Sequence, residues 1–138
     1  MRFQINFKSG KAVYQQLVDQ VKVAAASGTL QAGELLPGIR PLAEELRVNR
    51  NTVAKAYTEL ESQGIIETLA GKGCFVRDAG NSPFRKDVRR KLLAESLDDV
   101  LVHAHHLQIS REEFLQLAED RFDALELKRA RASTAAHP

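Results

Sequence analysis

Apolar residues recur at Val13, Leu17, Val21 and Ala24, with Tyr14, Val18 and Ala25 beside them. This 3.6-residue period predicts an amphipathic helix that stops near Gly28, a suitable left-handed cap. Residues 1–12 hold two Phe and a Ser-Gly pair without a period, and read as an extended arm or loop. Leu30 to Pro37 reads as a loop with a short extended piece. Gly38 then serves as an N-cap and Pro41 falls in a first helical turn, where a missing N–H costs little. Leu42, Ala43 and Leu46 form the apolar stripe of that second helix. The turn Arg47-Val48-Asn49 leads to a third helix, capped by Asn49, with Val53, Ala56, Tyr57 and Leu60 on one face and Gly64 at its end. Ile65–Leu69 and Cys74–Val76 flank Ala70-Gly71-Lys72-Gly73, which is the pattern of a β-hairpin.

A linker, Asp78-Ala79-Gly80-Asn81, separates this unit from the remainder. Ser82-Pro83 reads as an N-cap with proline at the first helical position. Phe84, Val88, Leu92, Leu97, Val100, Leu101, Ala104 and Leu107 then trace one long stripe. Ser110 and Glu113 form a capping box for a last helix with Phe114, Leu117, Ala118, Phe122 and Leu125 on one face. From Ala130 the small, polar tail reads as frayed. The expected architecture is mainly α with a small β-hairpin. A winged helix-turn-helix spans residues 11–78, a two-helix dimerisation region spans 82–130, and a frayed tail spans 131–138.

The chain of 138 residues allows one or two small domains. No apolar run approaches a membrane span, and the start Met1-Arg2-Phe3-Gln4-Ile5 has no secretory pattern. The single Cys74 excludes an internal disulfide and fits a reducing cytoplasm; it reads as a small packed side chain. Net charge is only +2, with ten Lys/Arg against eight Asp/Glu in residues 1–78 and ten of each in 79–138. Charges within about a Debye length, roughly 8 Å, of a contact count most, so local placement matters more than the total.

Placement points to DNA. Two helices joined by a three-residue turn, the second presenting polar residues at its start, are the arrangement that enters a major groove. With Val53, Ala56, Tyr57 and Leu60 inward, Asn51, Lys55 and Thr58 fall on the opposite face, flanked by Arg50 and Thr52. Asn51 and Lys55 lie one turn apart; Asn suits adenine and Lys suits guanine. Arg50 and Thr52 can serve bases or phosphates, Arg40 can clamp the backbone or reach a base, and Asn49 can add a contact to its capping role. Gly71 and Gly73 let a hairpin tip lie against a phosphate strand, with Lys72 supplying charge. Structural roles stay open beside these: Thr52 can cap its own helix, and Lys72 can be a plain turn residue.

Leu36-Pro37-Gly38-Ile39-Arg40-Pro41-Leu42-Ala43 is similar to the Leu-Pro-Ser-Glu-Arg-x-Leu-Ala segment of the GntR family of bacterial transcription regulators. Val48-Asn49-Arg50-Asn51-Thr52-Val53 with Ala56-Tyr57 and Leu60-Glu61 resembles its recognition helix, and Gly71-Lys72-Gly73-Cys74-Phe75-Val76 its wing. The resemblance covers residues 11–77. It implies a winged helix-turn-helix in which the positions of Arg40, Arg50, Asn51, Thr52, Lys55 and Gly71 touch operator DNA. Three residues depart from the pattern: Arg47 replaces a turn glycine, Gly38 a serine and Cys74 a threonine. The short helical tail resembles the YtrA-like subfamily, which implies a homodimer and often a link to nearby transporter genes.

The expected partners are double-stranded operator DNA and a second copy of the chain; a small-molecule effector is left open without an identity, and no membrane is expected. No cofactor and no metal are expected. His103 and His106 lie at i, i+3, but Asp98 and Asp99 are a turn upstream and further ligands are missing. No paired carboxylates, nucleophile–base set or phosphate-binding glycine loop appears at a useful spacing, so an enzyme is not expected. The leading reading is a repressor that binds a two-fold operator; the alternative is a winged-helix protein-interaction module without DNA specificity.

Overall fold

The structure, a computed structural model, describes residues 1–78, 80 and 82–136. Ala79 and Asn81 of the expected linker, and His137 and Pro138 of the expected tail, lie outside the described residues. Three helices come first: α1 (Val13–Ser27), α2 (Ile39–Leu46) and α3 (Arg50–Ser62). A hairpin of β1 (Ile66–Leu69) and β2 (Gly73–Val76) follows, then α4 (Lys86–His106) and α5 (Arg111–Ala136). The strands pair antiparallel with Ile66 opposite Val76 and Leu69 opposite Gly73. Leu35 bridges to Phe75 on the far edge of β2, and Leu36 N–H donates to Cys74 O at 2.8 Å. The extended piece expected between Leu30 and Pro37 therefore lies along the outer edge of the two-stranded wing, joined to it by an isolated bridge.

The core lies wholly within this first half. Leu17, Val18, Val21, Leu42, Val53, Ala56, Leu60 and Ile66 are buried to within 2% exposure, so each helix turns its apolar stripe inward as its period predicts. The arm at residues 1–12 has no regular element, yet it is fastened. Gln20 accepts from Gln4 N–H and donates back to Gln4 O, and Gln16 does the same with Asn6. Phe3 and Ile5 thereby reach the core edge. Lys11 donates to Asp19 at 2.7 Å, which holds that carboxyl below its usual range.

Helix ends follow local chemistry. Gly28 takes φ 82° at the end of α1. Arg47 takes φ 57°, ψ 46° at the end of α2, the left-handed conformation that a family glycine would adopt more cheaply. Val48 N–H reaches Ala43 O there, closing the helix in a Schellman pattern. The same closure ends α4, where Gln108 takes φ 59° and Ile109 N–H donates to Ala104 O at 3.0 Å. Ser110 Oγ then accepts from Glu113 N–H at the start of α5.

Two boundaries differ from the sequence expectation. Helix α4 starts at Lys86 with Arg85 as N-cap, not at Ser82-Pro83. Ser82 Oγ accepts from Phe84 N–H in a local turn, and Pro83 packs so closely on Gly64 that a Cβ there would lie 2.9 Å from its ring. Tertiary seating of Pro83 delays the helix. Helix α5 continues to Ala136 rather than fraying from Ala130. Ala132 packs against Gly28, where a Cβ would approach to 3.0 Å, so α1 supports the last turns of α5.

Candidate nucleic-acid interface

Helix α3 is positioned from behind. Its buried face, Val53, Ala56, Tyr57 and Leu60, packs on α1 and α2. Tyr57 Oη donates to Pro37 O at 2.7 Å, and burial pushes its phenol pKa up, with Cys74 adding to the shift. The neutral phenol thus ties the loop before α2 to α3. The N-terminus of α3 is held by Asn49, whose Oδ1 accepts from Asn51 N–H at 2.7 Å. An N-cap of this kind contributes about 1 kcal/mol and fixes where the first turn begins.

That first turn is open. Arg50, Asn51 and Lys55 are exposed and Thr52 is half-buried. Arg40 is exposed on the first turn of α2. Lys55 has a support that its spacing did not reveal: its Nζ lies 3.9 Å from the ring centroid of Tyr14 on α1. A cation over an aromatic face is attracted by roughly 0.5–1 kcal/mol at exposed sites, so Lys55 is aimed rather than free. The signal was present in the periodicity, which put Tyr14 on the flank of the inner face, but only the packing of α1 on α3 brings it under Lys55.

The remaining expected residues form a second exposed surface at the hairpin tip. Gly71, Lys72 and Gly73 are all exposed. Gly73 has φ 110°, and a Cβ on it would come within 3.0 Å of Leu35 Cδ1. The positive φ favours glycine there, whereas the tip of the exposed Leu35 side chain could shift to admit a Cβ. Lys72 N–H donates to Leu69 O at 2.9 Å, closing the tip. Cys74 is half-buried beside the core, with Sγ 3.4 Å from Thr68 Oγ1. His103, singled out in the sequence, is far from both surfaces in the chain: it lines a groove with Val100, Leu107 and Phe114 at the α4–α5 turn.

Residues 13–76 match the model for bacterial regulatory proteins of the gntR family. The chain is 34% identical over 109 residues to the HTH-type transcriptional repressor YtrA of Bacillus subtilis (strain 168), covering 79% of this chain and 83% of that repressor. The chain belongs to the gntR family. Because 109 residues exceed the first 78, the likeness to YtrA reaches beyond the wing into the C-terminal helices. Solved structures agree. A transcriptional antiterminator from Listeria monocytogenes EGD-e matches with TM-score 0.73 and 33% identity over 91% of this chain and 92% of that one. The gntR-family factor YtrA from Sulfolobus acidocaldarius matches with TM-score 0.53 and 31% identity over 70% of this chain and 97% of its own. The first half is a gntR-type winged helix, and the chain is a DNA-binding transcription regulator, not an enzyme. No described helix is long and apolar enough to cross a membrane.

Proposed function

We propose that this gntR regulator is a sequence-specific repressor of the cytoplasm that binds a two-fold operator as a homodimer. The observation that carries the reading is the split character of α3. One face is sealed in the core, while the N-terminal Arg50, Asn51 and Lys55 stand exposed on a capped, rigid first turn. Asn51 and Lys55 read base edges in the major groove, Arg50, Thr52, Asn49 and Arg40 contact bases or backbone, and the Gly71-Lys72-Gly73 tip lies on the flanking backbone or minor groove. Helix α4 supports the dimer: it has no buried residue in the single chain, although its stripe is apolar. A second copy covers that stripe and supplies the matching recognition helix, so operator half-sites lie about one helical turn or more apart. Occupancy of a promoter by such a dimer blocks transcription, in keeping with the repressor name that the Bacillus relative carries.

Selection of DNA from a random pool, followed by a salt titration on the selected site, tests the reading. A two-fold motif should emerge and affinity should fall steeply with salt. Lys72→Ala should weaken binding to all sequences alike, whereas Asn51→Ala should relax preference at one base pair. Sequence-blind or salt-insensitive association would favour a protein-docking winged helix instead.

A further inference from the structure

A cleft of about 440 Å³ separates the side of the winged helix remote from Arg50 from the end of α5. Three cations line it, each from a different part of the chain: Lys22 on α1, Arg77 just after β2, and Arg129 on α5. Asp78 is the one acid among the described lining residues. No described carboxylate lies at ion-pair distance from Lys22 or Arg129. Arg77 reaches Glu67 only at 3.4 Å, longer than a charge-assisted hydrogen bond. Its Nε is buried without a hydrogen-bond partner among the described residues. That nitrogen is enclosed, so a ligand in the cleft would meet Arg77 at its terminal guanidinium nitrogens, on a side chain that is 27% exposed. The remaining wall is mostly apolar, with Ala25, Leu30, Ile65 and Val76, and also carries Gln31 and Ser133.

We propose that this cleft binds a small organic anion, a carboxylate or phosphate monoester with an apolar body, bridging Arg129 to Lys22 and Arg77. The volume falls within the usual size of small-molecule sites, and the lining combines three cations with apolar side chains. The consequence for regulation, which rests on the DNA-binding reading above, comes from what the cleft joins. The C-terminal half touches the winged helix at two seats, Pro83 of the connecting segment on Gly64 and Ala132 of α5 on Gly28, and both glycines line the cleft. An anion between Arg129 and the other two cations holds α5 to the winged helix and so sets the angle between the recognition helices of a dimer. A ligand shifts such an equilibrium only through its differential affinity for the two arrangements, and couplings of this kind change operator affinity roughly 5–150-fold.

The full chain is titrated with inorganic phosphate, phenyl phosphate and benzoate, each against chloride at matched ionic strength, by NMR and thermal melting without DNA. At least one organic probe should bind saturably and raise Tm. Arg129→Gln and Lys22→Gln should each weaken that binding about tenfold. Both variants should bind the selected operator as the parent does when no anion is present, and only the parent should change operator affinity on adding the probe. Absence of saturable binding by all three probes, or equal binding by the variants, overturns the site. Inorganic phosphate binding as tightly as both organic probes overturns the organic assignment. Failure of the regulator reading shows separately, as loss of operator binding by the unliganded parent.

Discussion

The two halves of this chain both carry many apolar helical residues, but they place and cover them differently. In the winged helix, stripes from α1, α2, α3 and the hairpin meet one another, and among the described residues every buried hydrophobic one lies between Leu17 and Val76. In α4 and α5 the apolar residues are spread more evenly round each helix, and Leu93 is 69% exposed, Leu107 62% and Phe122 66%. Among the described residues, the broadest contact that either helix makes within the chain is that of α5 with α1. A sharp amphipathic period goes with cover from the same chain here, whereas the more diffuse apolar surface of α4 and α5 is left largely open. The first half closes on itself; the second leaves much of its apolar surface exposed, and the proposed dimer would cover it.

Substitutions can break that contrast. Leu60→Ala, at a fully buried position, should cost about 2–5 kcal/mol of stability whatever the protein concentration, as read by urea denaturation; a loss below 1 kcal/mol would mean the core is not closed as described. Leu101→Asp, on the uncovered stripe of α4, should leave the winged helix folded but yield monomers in light scattering. It should also weaken operator binding about 100-fold through lost bivalency. An unchanged dimer would place the interface elsewhere.

Smaller effects sharpen the picture of how the first half is held. Arg47→Gly should stabilise the protein by about 0.5–1 kcal/mol, because relief of the left-handed strain exceeds the extra chain entropy of glycine; chemical denaturation checks the sign. Asp19 has its carboxyl pKa lowered, first by the hydrogen bond from Lys11. Its contribution is thus present above the ordinary carboxylate range and is lost as pH falls through the lowered value. Both side chains are more than a third exposed, so the pair contributes only a few tenths of a kcal/mol. Asp19→Asn should lower urea stability slightly at pH 7 and leave it unaltered at strongly acid pH.

Much of the site was legible because it depends on near neighbours in the chain. Asn49 as a cap, the inward face of α3 and the glycine-tipped hairpin each follow from residues within one or two turns. Tyr14 beneath Lys55 and the pairing of Leu35 with Phe75 were not legible, since each joins residues tens of positions apart. The start of α4 was misread for the same reason: Ser82-Pro83 has the local chemistry of a helix start, but the seat of Pro83 on Gly64 outweighs it. Gln108 in a left-handed turn also left no signal, because glutamine carries no preference for that conformation.

By itself the sequence determined the order of helices and strands, the inner face of each helix in the winged half, and the polar residues at the head of α3. Those features rest on periodicity and capping, which act over a few residues. Only the tertiary structure decided what the arm and the last turns of α5 rest upon, how Lys55 is aimed, and that three distant cations line one cleft. Such matters depend on which surfaces meet, and burial and charge proximity are properties of the packed whole rather than of any segment.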